Sequence, residues 1–236
     1  MFKLFFEKFF IKKPKYQIRD GHRKSFHPNG KIKTSVVIKD GKKEGFYKKW
    51  DIDGNLIRKI PFKNNLIQGQ ILHFYSNGQI LIDRFFKNGI QEGEDRRYYE
   101  NGKLKSSIFF QNGLKEGPLK KFFDNGQLQT SINNSKNLGE GILETFHMNG
   151  SLKSSIFLTH GLREGNFQTF YDSGSLRSTN IYQNGVANGP YKFFSENGDL
   201  RNSGYFKSDQ RDGLWNSYDE FGQVTTRYYI DGKQSY

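Results

Sequence analysis

The residues of this sequence that could do chemistry are five histidines, a run of charged side chains and several repeated serines. His22, His27, His73, His147 and His160 would serve as metal ligands or acid–base groups if they were spaced for it. They are not: His22 and His27 could approach across one hairpin, but they bring no carboxylate or cysteine partner. His27 and His147 share a column with Tyr, Phe and Asp, which predicts exposed surface variants. Ser106, Ser107, Ser154 and Ser155 follow Asn-Gly-x-Leu elements and read as strand residues rather than nucleophile elbows. Gly113-Leu-Lys-Glu-Gly117 reads as a turn, not a phosphate cradle. The absence of cysteine excludes a disulfide framework, a thiol nucleophile and a Cys-ligated metal site. The expectation is therefore no catalytic residue, no metal and no cofactor. What remains is recognition, and its densest candidate is Glu92-Gly93-Glu94-Asp95-Arg96-Arg97.

The elements that position these residues come from a repeat. Glycine recurs every 24 residues from Gly30 through Gly54, Gly78 and Gly102 to Gly222, and a second series runs from Gly21 through Gly45 and Gly93 to Gly213. Two residues after the first glycine stands an aliphatic residue (Ile32, Leu56, Leu104, Val224). Four residues before it stands an aromatic one (Phe26, Trp50, Tyr98, Tyr218). Residues 21–236 hold nine such units. In the segment Tyr98-Tyr99-Glu100-Asn101-Gly102-Lys103-Leu104, the Asn-Gly pair between strand-like runs signals a hairpin. Pairing Tyr98 with Leu104 leaves a three-residue loop, Glu100 to Gly102, with Gly102 at positive φ and a bulge beside it. Ile108 and Phe110 keep the parity of Leu104, which predicts that they share its face. The opposite turns hold only Gly, Asn or Asp (Gly41, Asn65, Gly89, Asn137, Asp209), and in the last unit the glycine slips by one to Gly232.

The fold class is accordingly all-β: an elongated single-sheet antiparallel meander of nine hairpin units, about eighteen strands, with a short cap at residues 1–20. At ~4.8 Å between strands it would extend roughly 80–90 Å before twist. Composition agrees. Aromatics reach 16% and glycine 26 of 236 residues, while hydrophobic residues are only 34%. Such a chain is too aromatic for disorder, and no run approaches a membrane span.

Two residues break their columns. Asp95 stands where Tyr47, Ile71, Leu119, Leu143, Phe167, Tyr191 and Trp215 stand in other units, and Asn134 replaces an apolar residue within Asn133-Asn134-Ser135-Lys136-Asn137. A two-sided sheet tolerates polar residues on its wetter face; contact with a partner is the other account. The candidate partner-binding set is Glu92, Glu94, Asp95, Arg96, Arg97, Tyr99, Asn134 and Tyr171.

These columns resemble the MORN-repeat variant found in many bacterial proteins, most clearly in Gly-Pro-Leu-Lys-Lys-Phe-Phe-Asp-Asn-Gly-Gln-Leu at residues 117–128. The resemblance covers about nine-tenths of the chain. It implies a binding module, and similarity to the YwqK-like antitoxin family implies an immunity protein that neutralises a cognate toxin by direct binding. Other proteins with such repeats are scaffolds or are linked to membrane lipids.

The formal net charge of +13 is uneven, because residues 1–50 carry 15 of the 37 Lys and Arg but only 4 of the 24 Asp and Glu. An immunity protein against a basic nuclease should be acidic. So the toxin would be acidic or not a nuclease, or the contact would use the Glu92–Asp95 region. A nucleic-acid strand lying along the sheet would want charge in every unit, which argues against that partner. Within residues 1–20, Phe2, Phe5, Phe6 and Phe9 fall on one helical face, with Lys8, Lys12 and Lys13 among the flanking lysines and Pro14 as a stop. Two roles fit: a cap over an open sheet end, or a basic helix at an anionic membrane surface through residues 1–15. Glu7 and Lys8 interrupt the apolar stretch that an export signal would need. The expected location is the cytoplasm, with attachment to the inner membrane surface as the alternative for a scaffold.

Overall fold

The computed structural model describes residues 20–235. They form one open antiparallel sheet of 21 strands, each hydrogen-bonded to its neighbours in chain order, with no helix among the described residues. Nine hairpins supply eighteen of the strands. Two strands are each broken in two, into Leu66–Ile67 with Gly69–Phe74 and Val186–Ala187 with Gly189–Phe194, and Lys233–Ser235 adds a last short one.

One rim is built from the Asn-Gly turns. Tyr99 N–H donates to Lys103 O (2.8 Å) and Gly102 N–H to Tyr99 O (2.9 Å), with Gly102 at φ 81°. This is the expected three-residue loop. Asn101 Oδ1 accepts from Lys103 N–H (3.0 Å), while its amide nitrogen donates to Asp124 O of the next unit (3.3 Å). Asn29, Asn77, Asn125 and Asn149 make the same link. At the other rim two consecutive residues are left-handed, as in Asn88 (φ 51°) and Gly89 (φ 81°), which defines a type I′ turn. The N–H of Gly89 donates to Ile67 O of the unit before, 2.8 Å away. Each turn thus rests on its neighbour at both rims, and the unit repeats as a stack.

The expected sharing of one face by Leu104, Ile108 and Phe110 is corrected. Tyr98 pairs with Leu104, but Arg97 pairs with Ser106, so Lys105 is an extra residue that shifts parity. Tyr98 and Leu104 therefore lie on one face, while Ile108 and Phe110 lie on the other. The bulge recurs in every unit except the last, where Tyr218↔Val224 and Ser217↔Thr225 run on without a shift. That missing residue is why the glycine slips to Gly232.

The two faces differ in packing. All the buried side chains among the described residues (Ile38, Ile71, Asp95, Asn134, Ile156, Leu158, Asn180, Ala187, Trp215 and Tyr229) share the face of Ile108 and Phe110 by register, here called the crowded face. Toward its C-terminal end Tyr191, Phe206, Trp215 and Tyr229 stack edge-on and face-on with centroids 5.0–6.3 Å apart. The opposite, open face carries a stripe of exposed apolar side chains: Phe46, Phe85, Phe109, Ile142, Phe157, Tyr205, Leu214 and Tyr228.

Candidate functional site

The segment Glu92–Arg97 divides between the faces. The strand Ile90–Tyr98 alternates, and its register puts Gln91, Asp95 and Arg97 on the crowded face and Glu92, Glu94 and Arg96 on the open one. The sequence cluster is therefore not one patch.

On the open face, Glu92 accepts the backbone N–H of Asn112 at 2.8 Å. Glu44, Glu116, Glu140 and Glu164 do the same for residues 64, 136, 160 and 184, and Gln68 does it for Asn88. Glu92 is thus a turn anchor common to the units. Glu94 and Arg96 are exposed and ion-paired, and the guanidinium is held further toward its charged form by Glu94.

Asp95 lies on the crowded face and is only 4% exposed, and Asn134 on the same face is 9% exposed. Neither occupies the wetter face, which corrects that account of both departures. Around Asp95 a polar group has assembled. Gln91 Nε2 donates to Oδ2 at 3.0 Å, Arg84 Nε lies 3.4 Å from Oδ2, and Arg97 Nε lies 3.8 Å from Oδ1. Oδ1 has no hydrogen-bond partner, because the Arg97 distance is too long for one. Arg84 is the member that sequence reading missed. It is itself a departure, standing in a column of Val36, Ile60, Ile108, Ile132 and Ile156 that breaks again at Asn180 and Gly204, and a comparison of facing columns would have revealed it. Burial and the nearby Arg58 and Arg84 charges push His73 below the usual imidazole range.

Tyr99 and Tyr171 are structural links, each hydroxyl donating to a backbone oxygen 23 residues on (Phe122 O, 2.8 Å; Phe194 O, 2.7 Å). His27 and His147 replace that hydroxyl with Nε2 against Trp50 O and Phe170 O, at 3.1 and 3.0 Å. Both rings are half-buried, so the expectation of exposed variants is corrected. Phe2, Phe5, Phe6, Phe9, Lys8, Lys12 and Lys13 lie outside the described residues, as does the proposed cap apart from Asp20.

An open sheet of repeated hairpins, joined turn to turn and with no helix among the described residues, defines a β-hairpin repeat protein. The description "MORN repeat variant" matches residues 19–40, 67–88, 91–112, 115–137, 163–184 and 187–208, and the chain belongs to that family. The structure carries the same hairpin through the unmatched stretches between them. No curated protein matches the chain. Among solved structures, a crystal structure of TcdB2-TccC3 aligns with 90% of this chain and 14% of its own, at 13% identity and a TM-score of 0.23. The Photorhabdus luminescens Tc holotoxin pore aligns with 90% and 14%, at 12% identity and 0.22. The chain thus spans about one-seventh of the length of either.

Proposed function

We propose that this protein is a non-enzymatic binding module that engages a protein partner through its open face. The observation that supports this is the exposed stripe. Phe85, Phe109 and Phe157 are 43%, 43% and 47% exposed, in line with Phe46, Ile142, Tyr205, Leu214 and Tyr228. Ile142 pairs directly with Phe157 and Leu214 with Tyr228, while Phe85 and Phe109 stand across from Glu92 and Glu94. Exposed apolar side chains recurring along one face mark an interaction site, and rings held on a rigid sheet give contact area at low entropic cost. Following the resemblance of its sequence to YwqK-like antitoxins, the partner we infer is a cognate toxin, bound and neutralised in the cytoplasm. Co-expression with each neighbouring gene product tests the reading. A stable complex and restored growth are expected, both lost with Phe85→Ser/Phe109→Ser. No complex with any neighbour, or one indifferent to those substitutions, would overturn it.

A further inference from the structure

The register gathers charges that the sequence scatters. Lys49 stands directly across from Arg58, and Arg58 across from His73. The row continues through Ile82, Arg97 and Ser106 to Lys121. Arg84, on the strand of Ile82, fills the gap in cations at that point. Lys49, Arg58, Arg84, Arg97 and Lys121 thus form a basic row on the crowded face, with His73 within it. It crosses seven strands, roughly 29 Å at ~4.8 Å per strand. Like charges directly opposed on a sheet are destabilising. Against them, within those strands, the described residues of this face offer one acid, Asp95. Units further along carry Thr145 and Ser154, or Thr169 and Ser178, at the positions of Lys49 and Arg58, hydrogen-bonded to each other at 2.6 Å. The fold therefore does not need the charges.

We propose that this row is a docking groove for an acidic, extended segment of a polypeptide partner. The proposal rests on reading the protein as a protein-binding module and adds a second surface to it. Three observations bear on the occupant: the first calls for an anionic chain, and the other two select a polypeptide. First, the cations need carboxylates or phosphates, and both bind them well. Second, a cleft of about 180 Å³ lined by Asp95, Arg97, Ser106, Ile108, Lys115 and Lys121 opens at the row. Beneath it Asp95 Oδ1 is buried without a hydrogen bond, and an N–H donor entering the cleft would reach it once the exposed Arg97 side chain, 3.8 Å away, moves aside. A peptide backbone supplies that donor next to its own carboxylates; a phosphodiester backbone has none. Third, the nearby rings are not free for bases to stack on. Phe62, Phe86 and Phe110 are half-buried, and Lys43 Nζ covers Phe62 at 4.9 Å.

The test uses the full chain and a fluorescent peptide alternating Glu and Gly, with oligothymidylate and anionic vesicles as competing probes. Binding of the peptide is expected to weaken roughly tenfold or more in Lys49→Thr/Arg58→Ser, which copies residues other units already carry. Lys192→Ser/Lys207→Ser, removing two open-face charges, should leave it unchanged. Phe85→Ser/Phe109→Ser should also leave peptide binding intact while abolishing partner capture, so failure of the open-face reading is seen separately. Equal peptide affinity in wild type and Lys49→Thr/Arg58→Ser would overturn the proposal. So would tighter, row-dependent binding of oligothymidylate or vesicles than of peptide.

Discussion

Arg84 and Asp95 lie on neighbouring strands with Nε and Oδ2 3.4 Å apart, in the positions that Ile132 and Leu143 hold two units further along. An ion pair stands here where those units carry an apolar pair. Asp95 is almost wholly buried and Arg84 is about one-quarter exposed, so the pair pays desolvation that the apolar pair avoids.

Breaking and replacing the pair should therefore differ in sign. Arg84→Ile leaves Asp95 with Gln91 and a distant Arg97, and is expected to destabilise by up to about 3–5 kcal/mol. Arg84→Ile/Asp95→Leu restores the Ile132–Leu143 arrangement and should be neutral or stabilising by about 1–4 kcal/mol. Urea unfolding of both variants decides. A double variant as unstable as the single would show that the pair contributes net stability.

Gly204 and Trp215 are the same two columns at the other extreme of size. A Cβ on Gly204 would clash with the indole of Trp215, and the indole N–H donates to Tyr205 O at 3.2 Å. Gly204→Ile should cost about 1–3 kcal/mol or more through overpacking. Gly204→Ile/Trp215→Leu again recreates the Ile132–Leu143 pair and should recover part of that loss. Additive losses in a thermodynamic cycle would refute the proposed size compensation.

Glu92 can be tested as a turn anchor apart from any partner. Because Gln68 makes the equivalent bond to Asn88 N–H at 2.7 Å, Glu92→Gln should be nearly silent. Glu92→Ala, which leaves Asn112 N–H without its acceptor, should cost about 1 kcal/mol. Thermal melts of the two variants measure the difference; equal melting temperatures would remove the anchor role.

His73 should make the fold sensitive to mild acid. Its imidazole titrates below the ordinary 6.5 because it is part-buried, with Arg58 on the preceding strand and Arg84 on the following one; Arg97, itself near Asp95, lies further along the row. Above about 6.5 both folded and unfolded forms are neutral there and no penalty exists. As pH falls below 6.5 the unfolded chain takes up the proton first, so stability declines until the folded-state value is passed. The slope of stability against pH in this window should flatten in His73→Gln. An unchanged slope would assign the acid sensitivity to other groups.

The architecture was legible in the chain because each unit solves the same local problem. Asn101-Gly102 and Asn88-Gly89 specify their turns through backbone geometry alone, and nine copies at a fixed spacing leave one way to stack them. Face assignment was not legible. Lys105 reads as one more strand residue, yet as a bulge it inverts the parity of everything after it, sending Ile108 and Phe110 to the face opposite Leu104. For the same reason Asp95 and Glu94 seemed neighbours in a single acidic patch although they point away from each other.

By itself the sequence determined the all-β class, the hairpin, the two kinds of turn and the number of units, since all of these depend on residues within one 24-residue period. Only the tertiary structure decided which side chains meet. Arg84 finds Asp95, Lys49 faces Arg58 and Arg58 faces His73 across strand pairings, and such pairings depend on register, where one bulged residue changes the face that every following side chain presents.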